Sequence, residues 1–160
     1  MILNTTGANN SAFGALALDA NLTGANNTAI GRSSLGANTA WWNNVAVWYA
    51  ALDENLTGGQ NVAVWYDALG LLTTGSNNIG IWDNAWDNLT SGSNNIVIWA
   101  DVDFTNATGS NQLNIWNTIY GDISTGNVGI WIASWTDKLH VAGNIVHNGG
   151  LYTQWATYKS

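Results

Sequence analysis

The side chains able to make and break bonds are few in this chain, and they are scattered. There is no cysteine, which excludes disulfides and thiolate metal sites alike. His140 and His147 stand seven residues apart with no third metal ligand beside them, so only a threefold assembly would gather three copies of one imidazole. Asp101 and Asp103, in "DVDFTN", have the opening spacing of a calcium loop. The further acidic or Asn ligands, the glycine and the closing glutamate of such a loop do not follow, which leaves two solvated turn carboxylates. Asp53 beside Glu54 reads as a turn pair rather than an inward-facing general acid and base. The basic side chains are only 3, namely Arg32, Lys138 and Lys159, and no Ser-His-Asp cluster falls where the chain would assemble it. The segment is therefore expected not to be an enzyme and to carry no cofactor and no metal. Asn4, Asn21, Asn55, Asn88 and Asn106 each open an Asn-x-Thr triplet, the glycosylation acceptor. The triplet recurs because a longer unit recurs, so it carries little information.

Indole is what the chain has in quantity, with Trp at 11 of 160 positions. Trp48, Trp65, Trp82, Trp99 and Trp116 follow one another at 17-residue intervals, and Trp131 comes 15 residues later. Such a column has two uses. The rings can pack on one another or between chains, or they can form a strip on which the apolar faces of sugar rings stack. Rings one coil apart would mostly cover each other's faces, which favours packing.

The elements that place these rings are set by a repeat. "NNSAFG" ends at Gly14 and "NNTAIG" at Gly31, followed by "NNVAVW", "QNVAVW", "NNIGIW", "NNIVIW", "NQLNIW" and "GNVGIW". Gly7, Gly24, Gly58, Gly75, Gly92 and Gly109 form a second column ahead of the Asn positions. Seventeen residues are too few for a helix pair but ample for one coil of a solenoid. Val45 and Val47 alternate with Asn44 and Ala46, the period-2 pattern of a strand. The matching pairs Ile79 and Ile81, Ile96 and Ile98, Leu113 and Ile115, and Val128 and Ile130 are mostly β-branched and suit a half-buried pleated surface. "YAALDENL" and its equivalents are read as the second strand and turn of each coil, being too short to nucleate a helix.

The sequence thus predicts an all-β, parallel β-roll or β-solenoid of about eight coils over residues 1–135, stacked at about 4.8 Å, with a short C-terminal β end piece over residues 136–160. The Asn columns are expected to bond along the stack. Each coil supplies two or three aliphatic side chains, too little to offset the entropy of ordering its backbone. The column of small residues at Ala12, Ala29, Ala46, Ala63, Gly80 and Gly129 is read as an outward face that admits another backbone. Association into a symmetric oligomer, a homotrimer, would make good the deficit.

Bulk charge narrows the partners. A net charge of −7 offers no basic surface to a phosphate backbone, so nucleic acid is excluded. No apolar run reaches the length of a membrane span, and "MILNTTGANN" has no signal-peptide pattern. Its start inside a repeat is expected of a segment cut from a longer chain. Only 8% of residues are charged, against about 25% in soluble domains; Asn, Thr, Gly and Ser supply the polarity, as turns and stacked ladders require.

"NNTAIGRSSL" and "TTGSNNIGI" resemble the head repeats of YadA-like trimeric autotransporter adhesins, which also occur in phage tail fibres. The resemblance covers residues 5–131 and implies a left-handed parallel β-roll, three of which associate into an extracellular fibre segment. "TDKLHVAGNIVHNGG", residues 136–150, resembles the strand that follows such repeats in phage fibres, often ahead of a self-cleaving chaperone. It favours a virion tail fibre over a bacterial cell-surface adhesin. The chain departs from the family pattern at its tryptophans. Gly14 and Gly31 keep the family glycine, and the indoles of the column stand at the same place in later repeats. Trp41 and Trp42 replace the equivalents of Gly24 and Ala25, Trp86 falls where such repeats commonly have Gly, and Trp135 where fibres have Pro; only Trp155 lies outside these positions. Deliberate substitution on a natural fibre scaffold is the expected origin. Tryptophan enters positive φ only at a cost, so the turns are expected to have moved if glycine used that region. The partner implied is the chain itself, with a cell-surface glycan or receptor as a second. A glycan-binding adhesin tip and an ice-binding β-solenoid are the alternative functions.

Overall fold

In the computed structural model, the described residues are 3–86, 88–101, 106–116, 119–122 and 127–130. The expected end piece over 136–160, together with Trp131, Trp135, Asp103, His140 and His147, lies outside them. The described part is an all-β solenoid, and no helix occurs among the described residues. Strands β1 (Ser11–Phe13), β2 (Thr28–Ile30), β3 (Val45–Val47), β4 (Val62–Val64), β5 (Ile79–Ile81), β6 (Ile96–Ile98) and β7 (Gln112–Ile115) pair in sequence order and in parallel. Their register advances by one repeat at each step, as Val45↔Val62 and Val62↔Ile79 show. Past β7 the pattern changes. Strands β8 (Ile119–Asp122) and β9 (Asn127–Ile130) extend the sheet as antiparallel neighbours. "NVGI", expected to open an eighth parallel coil, is thus reached through antiparallel pairing.

Among the described residues, each parallel coil contributes one short strand, not two. The "YAALDENL" segment is a run of turns; Asp53 and Asn55 donate their backbone N–H within the segment, to Ala50 and Leu52, and the alternate N–H groups bond to the neighbouring coils. Leu52 donates to the Ala68 carbonyl at 3.1 Å in the coil ahead, while Ala50 donates to the Arg32 carbonyl at 3.0 Å in the coil behind. The two directions are possible because alternate residues sit in the left-handed region, with φ of 55° at Ala50 and 53° at Leu52. A strand would point its groups both ways by pleating; here inversion of φ does the same in a tighter curve.

The inside of the coil is the reverse of the sequence reading. Ala29, Ala46 and Ala63 are fully buried within a single chain, and so is Val97 in the same column. They face inward against Leu18, Leu35, Leu52, Leu69 and Trp86, a second column of period 17 contributed by the turn segment. Gly80 is buried as well, and a Cβ there would lie 2.7 Å from Leu69 Cγ. The column is small because leucines from across the coil fill the space. Ala12 has the same register on β1 but is exposed in the first coil, and Gly129 lies on β9, paired with Tyr120. Ala29, Ala46 and Ala63 therefore cannot serve as a trimer-facing surface. The Val and Ile pairs instead form the outer face, half-buried on β3, β4, β5 and β6.

Two asparagine ladders close the coil. The Asn27 side-chain oxygen accepts the Asn44 backbone N–H at 2.9 Å, Asn44 does the same for Asn61, and Asn61 for Asn78. Each amide nitrogen donates to a turn carbonyl of the coil ahead, Asn44 to Gly58 at 2.8 Å and Asn61 to Gly75 at 2.9 Å. Asn4, Asn21, Asn38 and Asn55 form the second ladder, and Leu72 then continues the register as a buried apolar residue. Every rung buries polar groups that would cost about 1–3 kcal/mol each if left unpaired, so the ladder fixes register as well as stability.

Candidate functional site

The most ordered chemistry on the surface is the indole column, placed by the residue that follows each parallel strand. Trp65, Trp82 and Trp99 donate their backbone N–H to Val47, Val64 and Ile81 at 2.8, 2.9 and 3.0 Å. Those bonds continue the sheet one residue beyond the strands and hold the Cα atoms one coil apart. The rings then stack. Trp48 and Trp65 have centroids 4.9 Å apart at 4°, Trp65 and Trp82 5.6 Å at 11°, and Trp82 and Trp99 5.8 Å at 6°. Trp99 and Trp116 lie 5.0 Å apart but tilted by 32°, at the coil where the sheet turns antiparallel. Trp131 lies outside the described residues.

The turns shift to admit these rings but stay in the positive-φ region. Gly14 and Gly31 have φ of 139° and 132°; Trp48, Trp65, Trp82 and Trp99 have 101°, 108°, 105° and 129°. Tryptophan occupies a backbone conformation that suits glycine, at a cost on the order of 1–3 kcal/mol per residue. Trp116, at 51°, is displaced toward the ordinary left-handed well. Trp86 belongs to a different set: it is fully buried and continues the leucine column of the core. Trp41 and Trp42 are exposed, and the Trp41 carbonyl accepts from Asn27 at 2.8 Å as a glycine carbonyl does in later coils.

A second aromatic column escaped the sequence reading. Tyr49 and Tyr66 stack at 5.2 Å and 6° beside the indoles, and the signal was their position immediately after Trp48 and Trp65. Arg32 precedes Tyr49 in the same register, its guanidinium carbon 5.4 Å from the ring centroid and its Nη1 donating to the Tyr49 hydroxyl at 3.3 Å. Where the indole column stops, at Gly31, there is an open cavity of about 330 Å³ lined by Phe13, Ile30, Gly31, Arg32, Trp48 and Tyr49.

Three acidic residues, Asp19, Asp53 and Glu54, line a second groove with Leu16, Ser33 and Ala37. Burial pushes the Asp53 carboxyl above its usual range, repulsion from Asp67 and Glu54 adds to the rise, and a hydrogen bond from the Gly36 backbone opposes it. No group of three potential metal ligands occurs among the described residues. Asn21 and Asn55, two of the Asn-x-Thr asparagines, are fully buried in the second ladder, so their amides serve the fold.

Fold and site together define a parallel β-solenoid with an aromatic ladder along one edge of its sheet. The sequence matches no family model, and no curated protein or solved structure matches it either.

Proposed function

We propose that the chain is a structural segment of an extracellular fibre, a homotrimer resembling a phage tail fibre or adhesin head, and that its indole column was introduced on a natural fibre scaffold. The observation that carries this reading is the outer sheet face. Val45, Val62, Ile79, Ile96 and Leu113 form one aliphatic row, Val47, Val64, Ile81, Ile98 and Ile115 another, and all are only half-buried in a single chain. A continuous apolar surface of this regularity marks an interaction site, and a partner built on the same repeat matches these rows over the coils from Val45 to Ile115, leaving Phe13 and Ile30 beyond them. The self-association surface is thus assigned to the Val and Ile rows, in place of the buried alanines.

The rival functions find less support. A glycan strip needs free aromatic faces, whereas Trp65 and Trp82 are each covered on both sides by neighbouring rings. An ice-binding face needs a regular outward array of threonine hydroxyls, but those of Thr5, Thr39 and Thr73 donate to carbonyls of the coil ahead.

Sedimentation equilibrium at micromolar concentration tests the proposal, with a mass of three chains of 17.1 kDa expected. Val62→Glu combined with Ile79→Glu should dissociate the assembly while the β-signature of the coil persists, because both side chains point away from the core. A single-chain mass for the parent protein overturns the reading.

A further inference from the structure

We propose that the open end of the indole column is a binding slot for a planar aromatic carboxylate, which would stack on Trp48 and pair with Arg32. The column is regular up to Trp48 and then lacks a ring, since residue 31 is glycine. Trp48 therefore has a ring on one side alone, Trp65 at 4.9 Å. Its exposure shows the difference: 52% for Trp48 against 40% for Trp65, which is covered on both sides. The missing ring position opens into the cavity of about 330 Å³, at the lower end of the size range of small-molecule sites. Phe13 and Ile30 border it with apolar surface, 79% and 43% exposed, and a flat ring placed one stacking interval beyond Trp48 would cover both indole and aliphatic surface.

The charge beside the slot selects the ligand. Arg32 follows Gly31 directly, and its stack against Tyr49 holds the guanidinium at the rim. One of its five N–H donors is used on the Tyr49 hydroxyl, and a planar guanidinium presents its donors in a fork matched to a carboxylate. In a chain of net charge −7 with 3 Lys+Arg in all, this is the one described place where a cation adjoins an open aromatic face. A neutral sugar would use the ring but not the charge; an inorganic anion would use the charge but not the ring. The aromatic carboxylate uses both.

The test is a titration of the parent protein with 2-naphthoate and, separately, with its neutral isostere 2-naphthamide, followed by calorimetry and by amide NMR shifts. One saturable site is expected, with shifts centred on Gly31, Arg32 and the Trp48 indole N–H, and with the amide binding about fivefold more weakly. Arg32→Gln should lower naphthoate to the affinity of naphthamide and leave naphthamide unchanged. Gly31→Trp should fill the slot and abolish binding of both. Should that variant fail to fold, Trp48→Leu poses the same question, because it keeps an apolar floor without the flat ring and should weaken both ligands by up to about tenfold. Equal affinity for the two probes in the parent, no effect of Arg32→Gln, or full affinity in Gly31→Trp or Trp48→Leu would each overturn the proposal.

Discussion

Replacing Trp82 by alanine and by glycine separates the two forces acting on each indole of the column. The ring lies between Trp65 at 5.6 Å and Trp99 at 5.8 Å, and the residue is 45% exposed. Taking about half of the area a buried aromatic covers, near 100 Å², truncation forfeits about 2.5 kcal/mol of burial. Two stacking contacts add about 0.5–1.5 kcal/mol each, so Trp82→Ala should destabilise by about 3.5–5.5 kcal/mol. Alanine keeps a Cβ at a φ of 105°. Glycine removes that strain, about 1–3 kcal/mol, against a loss of about 0.5–1 kcal/mol in backbone entropy. Trp82→Gly should therefore be more stable than Trp82→Ala by up to about 2.5 kcal/mol, the opposite of the ordinary order in regular structure. Equilibrium urea unfolding at fixed chain concentration, read by circular dichroism, measures both. Adding Trp65→Gly completes a cycle in which the double variant should cost less than the sum by about 0.5–1.5 kcal/mol. Alanine equal to or better than glycine would refute the strain argument, and zero coupling would refute the stack.

The remaining predictions concern the core, the ladder and the acidic groove. Gly80→Ala, stabilising in most strands, should cost about 1–3 kcal/mol here, because its Cβ would meet Leu69 Cγ at 2.7 Å; a neutral or stabilising result in urea unfolding would contradict the inward placement of the small column. Asn61→Ala should cost about 2–4 kcal/mol, since it strands the Asn78 N–H and the Gly75 carbonyl inside the stack, whereas Asn94→Ala, on the exposed side, should cost only about 0.5–1 kcal/mol, from placing alanine at a φ of 58°. Asp53→Asn should stabilise at neutral pH. The Asp53 folded pKa is raised by burial and by Asp67 and Glu54, so its contribution is most favourable below the unfolded value and is lost as pH rises through the folded one. The gap between variant and parent should thus close as pH falls through the carboxylate range, and a gap that widens instead would reverse the sign.

The fold class was legible because the forces that build it act between equivalent residues. A ladder in which Asn44 bonds Asn61 and Asn61 bonds Asn78 needs the same side chain at the same place in every coil, and that demand is written as a period. The inside of the coil was not legible from the strand alone. Ala46 and Val47 are both apolar, and period-2 alternation cannot say which of two apolar faces is internal. The answer lay across the coil, in Leu18, Leu35, Leu52 and Leu69, which share the period and fill the interior until only Ala or Gly fits opposite. The open slot had a signal as well, since the indole column stops where Gly31 meets the chain's first basic residue.

The conformation of the tryptophans was the least legible feature, and it shows what governs the turn. Sterics at a single residue argue that tryptophan should push the backbone out of the glycine region. The turn is fixed from both sides, however. Trp65 donates to Val47 in the coil behind, Asp67 donates to Tyr49, and Leu69 donates to Ala85 in the coil ahead. Shifting one turn far enough to relieve one φ fully would break several of these bonds, and their summed cost, about 1–3 kcal/mol for each buried donor or acceptor left unpaired, exceeds the relief. The backbone therefore stays at positive φ, at 101–108° in Trp48, Trp65 and Trp82 where Gly14 and Gly31 have 139° and 132°, and the strain is offset by the rings, each resting on its neighbour. An isolated tryptophan at one of these positions would carry the strain without the stack, so the substitution becomes tolerable only as a column.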